Sequence, residues 1–190
     1  MNYLLQKLPT AVKINGKAVA VNTDFRVCLR IIRALDDDRL TEAEKLTVLC
    51  TLLYPEPPED TASAISQGLK FLNCGKETTA ARLSKQVYSF EKDSVYITAA
   101  FRSTYNIDLN TAPLHWWEFR SLFADLGKDC FFNTLISLRS RQNSGKLTKD
   151  EKEFVQRNAE LISLEDTTKR SAAVEEFRSR IGRRRDHVTG

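Results

Sequence analysis

The chain has 190 residues, 42% hydrophobic and 28% charged, with a net charge of +4; these are ordinary values for a globular protein of one domain, or one domain with tails. Seven glycines and five prolines favour helices over a turn-rich β fold, and no apolar window is long enough to span a bilayer. Cys28, Cys50, Cys74 and Cys130 show no CxxC spacing and no neighbouring histidine, which argues against a metal site and against a secreted disulfide scaffold.

Met1 to Gln6 lack the charged start and long apolar run of a signal peptide, so a cytoplasmic setting is expected. Val12 to Val21 read as a β-hairpin around Asn15-Gly16, a pair that tolerates the positive φ of a type I′ turn. A hairpin alone is marginal, so it should pack on helices or pair with another chain. Thr23-Asp24 opens a helix whose apolar stripe is Phe25, Cys28, Leu29, Ile32 and Leu35, with Arg26, Arg30 and Arg33 opposite. Thr41-Glu42-Ala43-Glu44 is a capping box, followed by Leu46, Leu49, Cys50 and Leu53. Pro55-Glu56-Pro57-Pro58 cannot continue that helix. A third helix is predicted with Ala62, Ile65, Leu69 and Leu72 on its buried face.

Periodicity fails from Gly75 to about Phe90, where a mobile loop is expected. The next helix carries Ile97, Ala100, Phe101 and Tyr105. Thr111-Ala112-Pro113 is read as the first turn of another, since proline lacks an amide hydrogen that has no partner there. Its rows are Trp116, Phe119, Phe123 and Leu126, widened by Leu114, Trp117 and Leu122, with Gly127 closing the end. Phe131, Leu135 and Leu138 lead a helix that ends in Arg139 and Arg141. Thr148-Lys149-Asp150-Glu151 is a second capping box, and its helix runs through Phe154, Val155, Asn158, Leu161 and Ile162. Past Ser163 only Val174, Phe177 and Ile181 keep helical spacing, among Glu175, Glu176, Arg178 and Arg180. The predicted fold is mainly α: a helical domain over residues 1–164 with an N-terminal hairpin at about 11–22 and a loop at about 75–90. Residues 165–190 form an amphipathic, arginine-rich tail.

The tandem Trp116-Trp117 poses the main question. Adjacent helical residues point about 100° apart, so the two indoles cannot share one narrow face. The helix must lie deep in a core or offer a second face to a partner. Catalytic signatures are missing: His115 sits between Leu114 and Trp116, His187 near the end, and no phosphate loop, GxSxG or HExxH occurs. Acidic pairs stand at helix ends, where capping explains them. The chain is therefore expected not to be an enzyme and to hold no cofactor or metal. Arg178, Arg180 and Arg183 to Arg185 would meet phosphates by charge, yet Glu165, Asp166, Glu175 and Glu176 interleave that region and argue against nucleic-acid binding.

Several stretches occur together in one known order: Leu8-Pro9, Thr23-Asp24-Phe25-Arg26, Leu52-Leu53-Tyr54-Pro55, Tyr88 with Asp93, Ala99-Ala100-Phe101, Tyr105-Asn106-Ile107-Asp108-Leu109 and Leu114-His115-Trp116-Trp117-Glu118-Phe119. On these the chain resembles, over residues 4 to 165, the "gene product fifteen" family of tailed phages and prophages of Gram-positive bacteria. In such phages the gene typically lies just before the tape-measure gene. The resemblance implies a tail assembly chaperone that binds the tape-measure protein and keeps it soluble while tail-tube subunits polymerise. It further implies self-association, a possible meeting with the tail tube protein, work in the bacterial host cytoplasm, and absence from the mature virion. The alternatives are a structural tail-completion or connector component and a regulator using the basic tail.

A chaperone needs exposed apolar surface rather than catalytic groups. The candidate contact residues are Ile14, Asn15, Gly16 and Val19 of the hairpin, Trp116, Trp117 and Phe123 of the aromatic helix, and Val174, Phe177 and Ile181 of the tail. The aromatic helix is expected mainly to build the core, leaving contact to the hairpin and tail.

Overall fold

The computed structural model describes residues 4–76 and 86–164. In chain order the elements are β1 (Ala11–Ile14), β2 (Lys17–Ala20), α1 (Phe25–Leu35), α2 (Glu42–Leu53), α3 (Thr61–Leu72), α4 (Ser94–Tyr105), α5 (Trp116–Ala124), α6 (Phe131–Asn143), α7 (Lys149–Arg157) and α8 (Ala159–Ile162). The fold is thus mainly α, with one two-stranded antiparallel sheet among the described residues. The predicted tail, residues 165–190, and residues 77–85 of the predicted loop lie outside the described residues.

The hairpin turns at Asn15 (φ 49°) and Gly16 (φ 79°), as the I′ turn requires. Val12 faces Val19 and Ile14 faces Lys17 across the strands, and Ile14 is buried in the main core. Asn15 Nδ2 donates to Asp60 Oδ2 at 2.9 Å. Asp60 also caps α3 by accepting from the Ser63 amide, so one carboxylate joins the turn to a helix start. The Asn22 amide donates to the Leu53 carbonyl at 2.7 Å, which ties the hairpin's exit to the end of α2.

Both capping boxes form, Thr41 with Glu44 on α2 and Thr148 with Glu151 on α7. The buried faces differ in places from the predicted stripes. In α1 the inward residues are Phe25, Cys28 and Ile31; Leu29 and Ile32 are only half-buried. In α3 the buried residues are Ala64, Gly68, Phe71 and Leu72, while Ala62 is exposed. The cause is close approach by α2: a Cβ on Gly68 would stand 2.9 Å from Leu49 Cδ2 and 3.0 Å from Leu53 Cδ2. Small residues mark the contact line, and a count of large apolar residues misses them.

Pro113 is not in the first turn of α5. The helix begins at Trp116 with His115 as N-cap, because the preceding residues are held extended against the start of α1. The Phe25 amide donates to Leu114 and the Trp116 amide to Thr23 at 2.7 Å, around an isolated bridge between Asp24 and His115. Asp125, not Gly127, is the C-cap; Gly127 instead lies where a Cβ would come within 3.3 Å of Thr104 Oγ1. In α6 the inward aromatic is Phe132, and Phe131 turns outward. The last predicted helix is two: α7 and α8 break at Asn158 (φ −118°, ψ 38°), whose side-chain amide bonds back to the Phe154 carbonyl.

The main core joins α1 to α5 and the hairpin, with Phe132 from α6. A smaller cluster of Leu135, Leu138, Val155 and Ile162 holds α7 and α8 to α6, and Tyr96 of α4 packs against both.

Candidate interaction surface

The tandem tryptophans are core residues, 0% and 5% exposed. Their indole nitrogens donate to consecutive carbonyls at the end of α3: Trp116 Nε1 to Leu72 at 2.9 Å and Trp117 Nε1 to Phe71 at 2.8 Å. A helix end leaves its last carbonyls without intrahelical partners, and the two indoles, diverging around α5, supply donors to two of them. Each ring buries a large apolar body while its single polar atom is satisfied. His115 completes this corner. Its Nδ1 accepts from the Trp117 amide at 3.0 Å and its Nε2 faces the Pro9 carbonyl at 3.0 Å, so the proton sits on Nε2. Phe119 stacks on Phe25, Phe101 and Trp116, and Phe123 continues the ring cluster to Tyr88 and Phe132.

The Tyr105 to Leu109 stretch is the joint between α4 and α5. Asn106 takes the left-handed conformation (φ 54°) and ends α4. Tyr105 Oη donates to the Asp125 and Leu122 carbonyls at 2.7 and 3.0 Å. Asp108 pairs with Arg102 and accepts from the Asn110 amide; that amide bond, then the arginine, hold its carboxyl below the usual range. Arg26 reaches across from α1 to the Leu109 and Ala112 carbonyls at 2.6 and 3.3 Å. An arginine predicted on a solvated face is therefore a tether.

Arg139 and Asp93 are 3% and 1% exposed and form a buried ion pair. Arg139 Nη1 and Nη2 donate to the two carboxylate oxygens at 2.7 and 2.9 Å. The remaining donors go to the Val87, Leu161 and Ile162 carbonyls. All five guanidinium hydrogens thus have acceptors. This fork binds the segment entering α4, the middle of α6 and the last turn of α8 at one point. Arg139 reads from sequence as the polar end of a helix; its position four residues after Leu135 and seven after Phe132, on their face of α6, was the available signal.

These placements remove several residues from the predicted contact surface. Ile14, Trp116 and Trp117 are buried, and Phe123 is partly buried in the ring cluster. Asn15 and Gly16 are exposed and Val19 is half-buried against the core. Val174, Phe177 and Ile181 lie outside the described residues. The structure instead exposes Val95 (72%), Phe131 (47%) and Phe154 (40%), besides Leu4 and Leu5 ahead of the hairpin. Phe131 meets the half-buried Tyr96 edge-on at 5.2 Å between ring centres. Val95 lies next to Tyr96 and borders a shallow, open depression with Ser94, Thr98 and Asn110. Tyr96 and Phe131 therefore join the starts of α4 and α6, while Val95, about 100° round the helix from Tyr96, faces the depression.

Elsewhere a narrow cleft between β1 and α3 is floored by Phe71 and Trp117. The described residues contain no cluster of three or more potential metal ligands, and no helix among them is long and apolar enough to cross a membrane. Cys28 has its thiol pushed up to about 12, first by burial, then by Asp24 and Cys74. At neutral pH it is a packed, protonated thiol, not a nucleophile.

No curated protein and no solved structure is significantly similar to this chain. The residues that carry the resemblance converge on the joints just described: Pro9 on His115, Thr23 on Trp116, Arg26 on Leu109, and Asp93 on Arg139. They specify an architecture. A family described as bacteriophage Gp15 protein matches residues 4–164, nearly all of the chain outside the arginine-rich end, and the chain belongs to that bacteriophage protein family.

Proposed function

We propose that this phage protein is a non-catalytic tail assembly chaperone that binds the tape-measure protein and keeps it soluble while the tail tube forms. Membership of the phage family carries the reading. The layout supports it: Trp116, Trp117 and Phe119 serve the interior, and apolar side chains at Val95, Phe131 and Phe154 remain in solvent. A protein that shields another chain's apolar helix needs such side chains and no reactive group. On this reading it acts in the host cytoplasm, self-associates along its long partner, meets the tail tube protein only in passing, and leaves before the virion is complete.

Co-expression with the tape-measure protein is the direct test. The expected outcome is a rise in soluble tape measure and co-purification of the two chains; an unchanged soluble fraction with no co-purification overturns the proposal. Mass spectrometry of purified virions separates it from the structural alternative, a tail-completion or connector component. The chaperone should be missing from particles, and stoichiometric recovery there would establish the alternative.

A further inference from the structure

We infer that α7 and α8 are a detachable cover over an apolar strip of α6, and that the uncovered strip receives an apolar-faced helix of a partner chain. The identity of that partner rests on the chaperone reading; the cover itself does not. Among the described residues the main core takes nothing beyond Ile136. Leu135 and Leu138 of α6 belong to the separate, smaller cluster, in which Val155 of α7 and Ile162 of α8 are the other buried members and Tyr96, Leu147 and Leu161 pack at the margin. The cover is thin. Of the nine residues of α7 only Phe154 and Val155 are apolar, and Phe154 is exposed. The α8 helix is a single turn. A unit that buries so little apolar surface opens locally at a lower free energy than the whole domain.

The polar attachment is arranged so that it can release. Arg139 donates to the Leu161 and Ile162 carbonyls of α8. Its carboxylate partner Asp93 and the Val87 carbonyl lie ahead of α4, outside the cover. Detaching α8 therefore breaks two hydrogen bonds to carbonyls, which water can replace, and leaves the Arg139–Asp93 pair closed. No buried charge is stranded, the consequence that would otherwise make opening prohibitive. The pivot is the turn from α6 to α7, where Gly145 has φ 69° and a Cβ would meet nothing within 4 Å. Arg141 of α6 and Glu151 of α7 pair across that turn with both side chains partly in water, a weak restraint. The occupant follows from what lies on the strip now. A helix lies there, and α7 brings one buried apolar side chain, with Ile162 added from α8. A helix with apolar residues at i, i+3, i+4 and i+7 presents a whole stripe to the same leucines. The larger apolar area it buries favours the exchange.

Native-state hydrogen exchange on the full-length chain reads the cover directly. Protection factors in α7 and α8 should lie about 100-fold below those in α1 and α3. A synthetic amphipathic helix of leucine and lysine is the probe for an apolar-faced partner. Adding it should lower protection in α7 and α8 further and leave α1 to α5 unchanged. Val155→Asp, which loosens the cover without altering α6, should raise the affinity for this probe about tenfold. Equal protection in all helices, or a probe that binds and leaves α7 and α8 protected, overturns the inference. Tape-measure protein that co-purifies with α7 and α8 as protected as in the free chain also overturns it, while leaving the chaperone reading standing. Displacement of the cover by the synthetic helix, with no effect of the chain on tape-measure solubility, would do the reverse.

Discussion

The buried fork of Arg139 shows how much one side chain can organise when its polar atoms are all satisfied. Taking a charge out of water costs several kcal/mol, and only close pairing with complete hydrogen bonding offsets it. Asp93 and three backbone carbonyls meet that condition. Arg139→Met keeps the approximate length of the side chain but leaves Asp93 and the Val87, Leu161 and Ile162 carbonyls without it. A loss of about 3–5 kcal/mol is expected, measured by urea unfolding. Native-state hydrogen exchange should show α7 and α8 opening first, since α7 contributes only Val155 to the buried cluster. A variant as stable as the parent, with α7 and α8 still protected, would refute this account. The two indoles follow the same rule in neutral form, each donating to a helix-end carbonyl.

Among the elements, α2 and α3 have the tightest contact. Gly68 lets Leu49 and Leu53 sit directly on the α3 backbone, with Tyr54 Oη 3.4 Å from where a Cβ would be. Alanine normally favours a helix interior over glycine by about 1 kcal/mol. Here the added methyl must displace leucine side chains that are fully buried, and overpacking costs about 1–3 kcal/mol. Gly68→Ala is therefore expected to be net destabilising by about 1 kcal/mol, read as a lower urea midpoint at constant slope. A stabilised variant would mean that the leucines relax freely. The hairpin is a satellite of this pair of helices, since Asn15 bonds Asp60 at the start of α3 and Asn22 bonds Leu53 at the end of α2.

For the whole molecule, pH exposes the shared core. Burial pushes the Cys28 thiol up to about 12 from 9.0 and the Tyr54 hydroxyl up to about 12 from 10.0. Tyr54 meanwhile donates to the Ala64 carbonyl at 2.6 Å. A folded-state pKa above the unfolded one means that the unfolded chain loses its proton first. The stabilising contribution is thus complete below about pH 9 and is lost as pH rises through the window up to about 12. Urea midpoints should fall steadily across that range, and Cys28→Ala should shallow the fall while lowering stability at neutral pH through the missing sulfur. A midpoint indifferent to pH between 9 and the onset of alkaline unfolding would contradict this assignment of the two groups. At the acid end, Asp60 acts in the opposite sense. Hydrogen bonds from Ser63, then Asn15, hold its carboxyl below 3.8, so its contribution is present above that value and is lost as pH falls through the folded one.

Local signals in the sequence determined the helical class, the Asn15-Gly16 turn and the two capping boxes, because turn and cap chemistry is decided within a few residues. The buried sides of α1 and α3, the start of α5 and the outward turn of Phe131 were decided by neighbours distant in the chain. Small residues such as Ala64 and Gly68 become contact lines only when a second helix lies on them. The fate of Trp116 and Trp117 is of the same kind. Periodicity establishes that two adjacent indoles diverge, but only the arrival of α3, whose Leu72 and Phe71 carbonyls accept from them, places both in the interior. Arg26 and Arg139 are likewise surface charges to any local reading, and it is the docking of the α4–α5 joint and of α8 that makes them the ties of the fold.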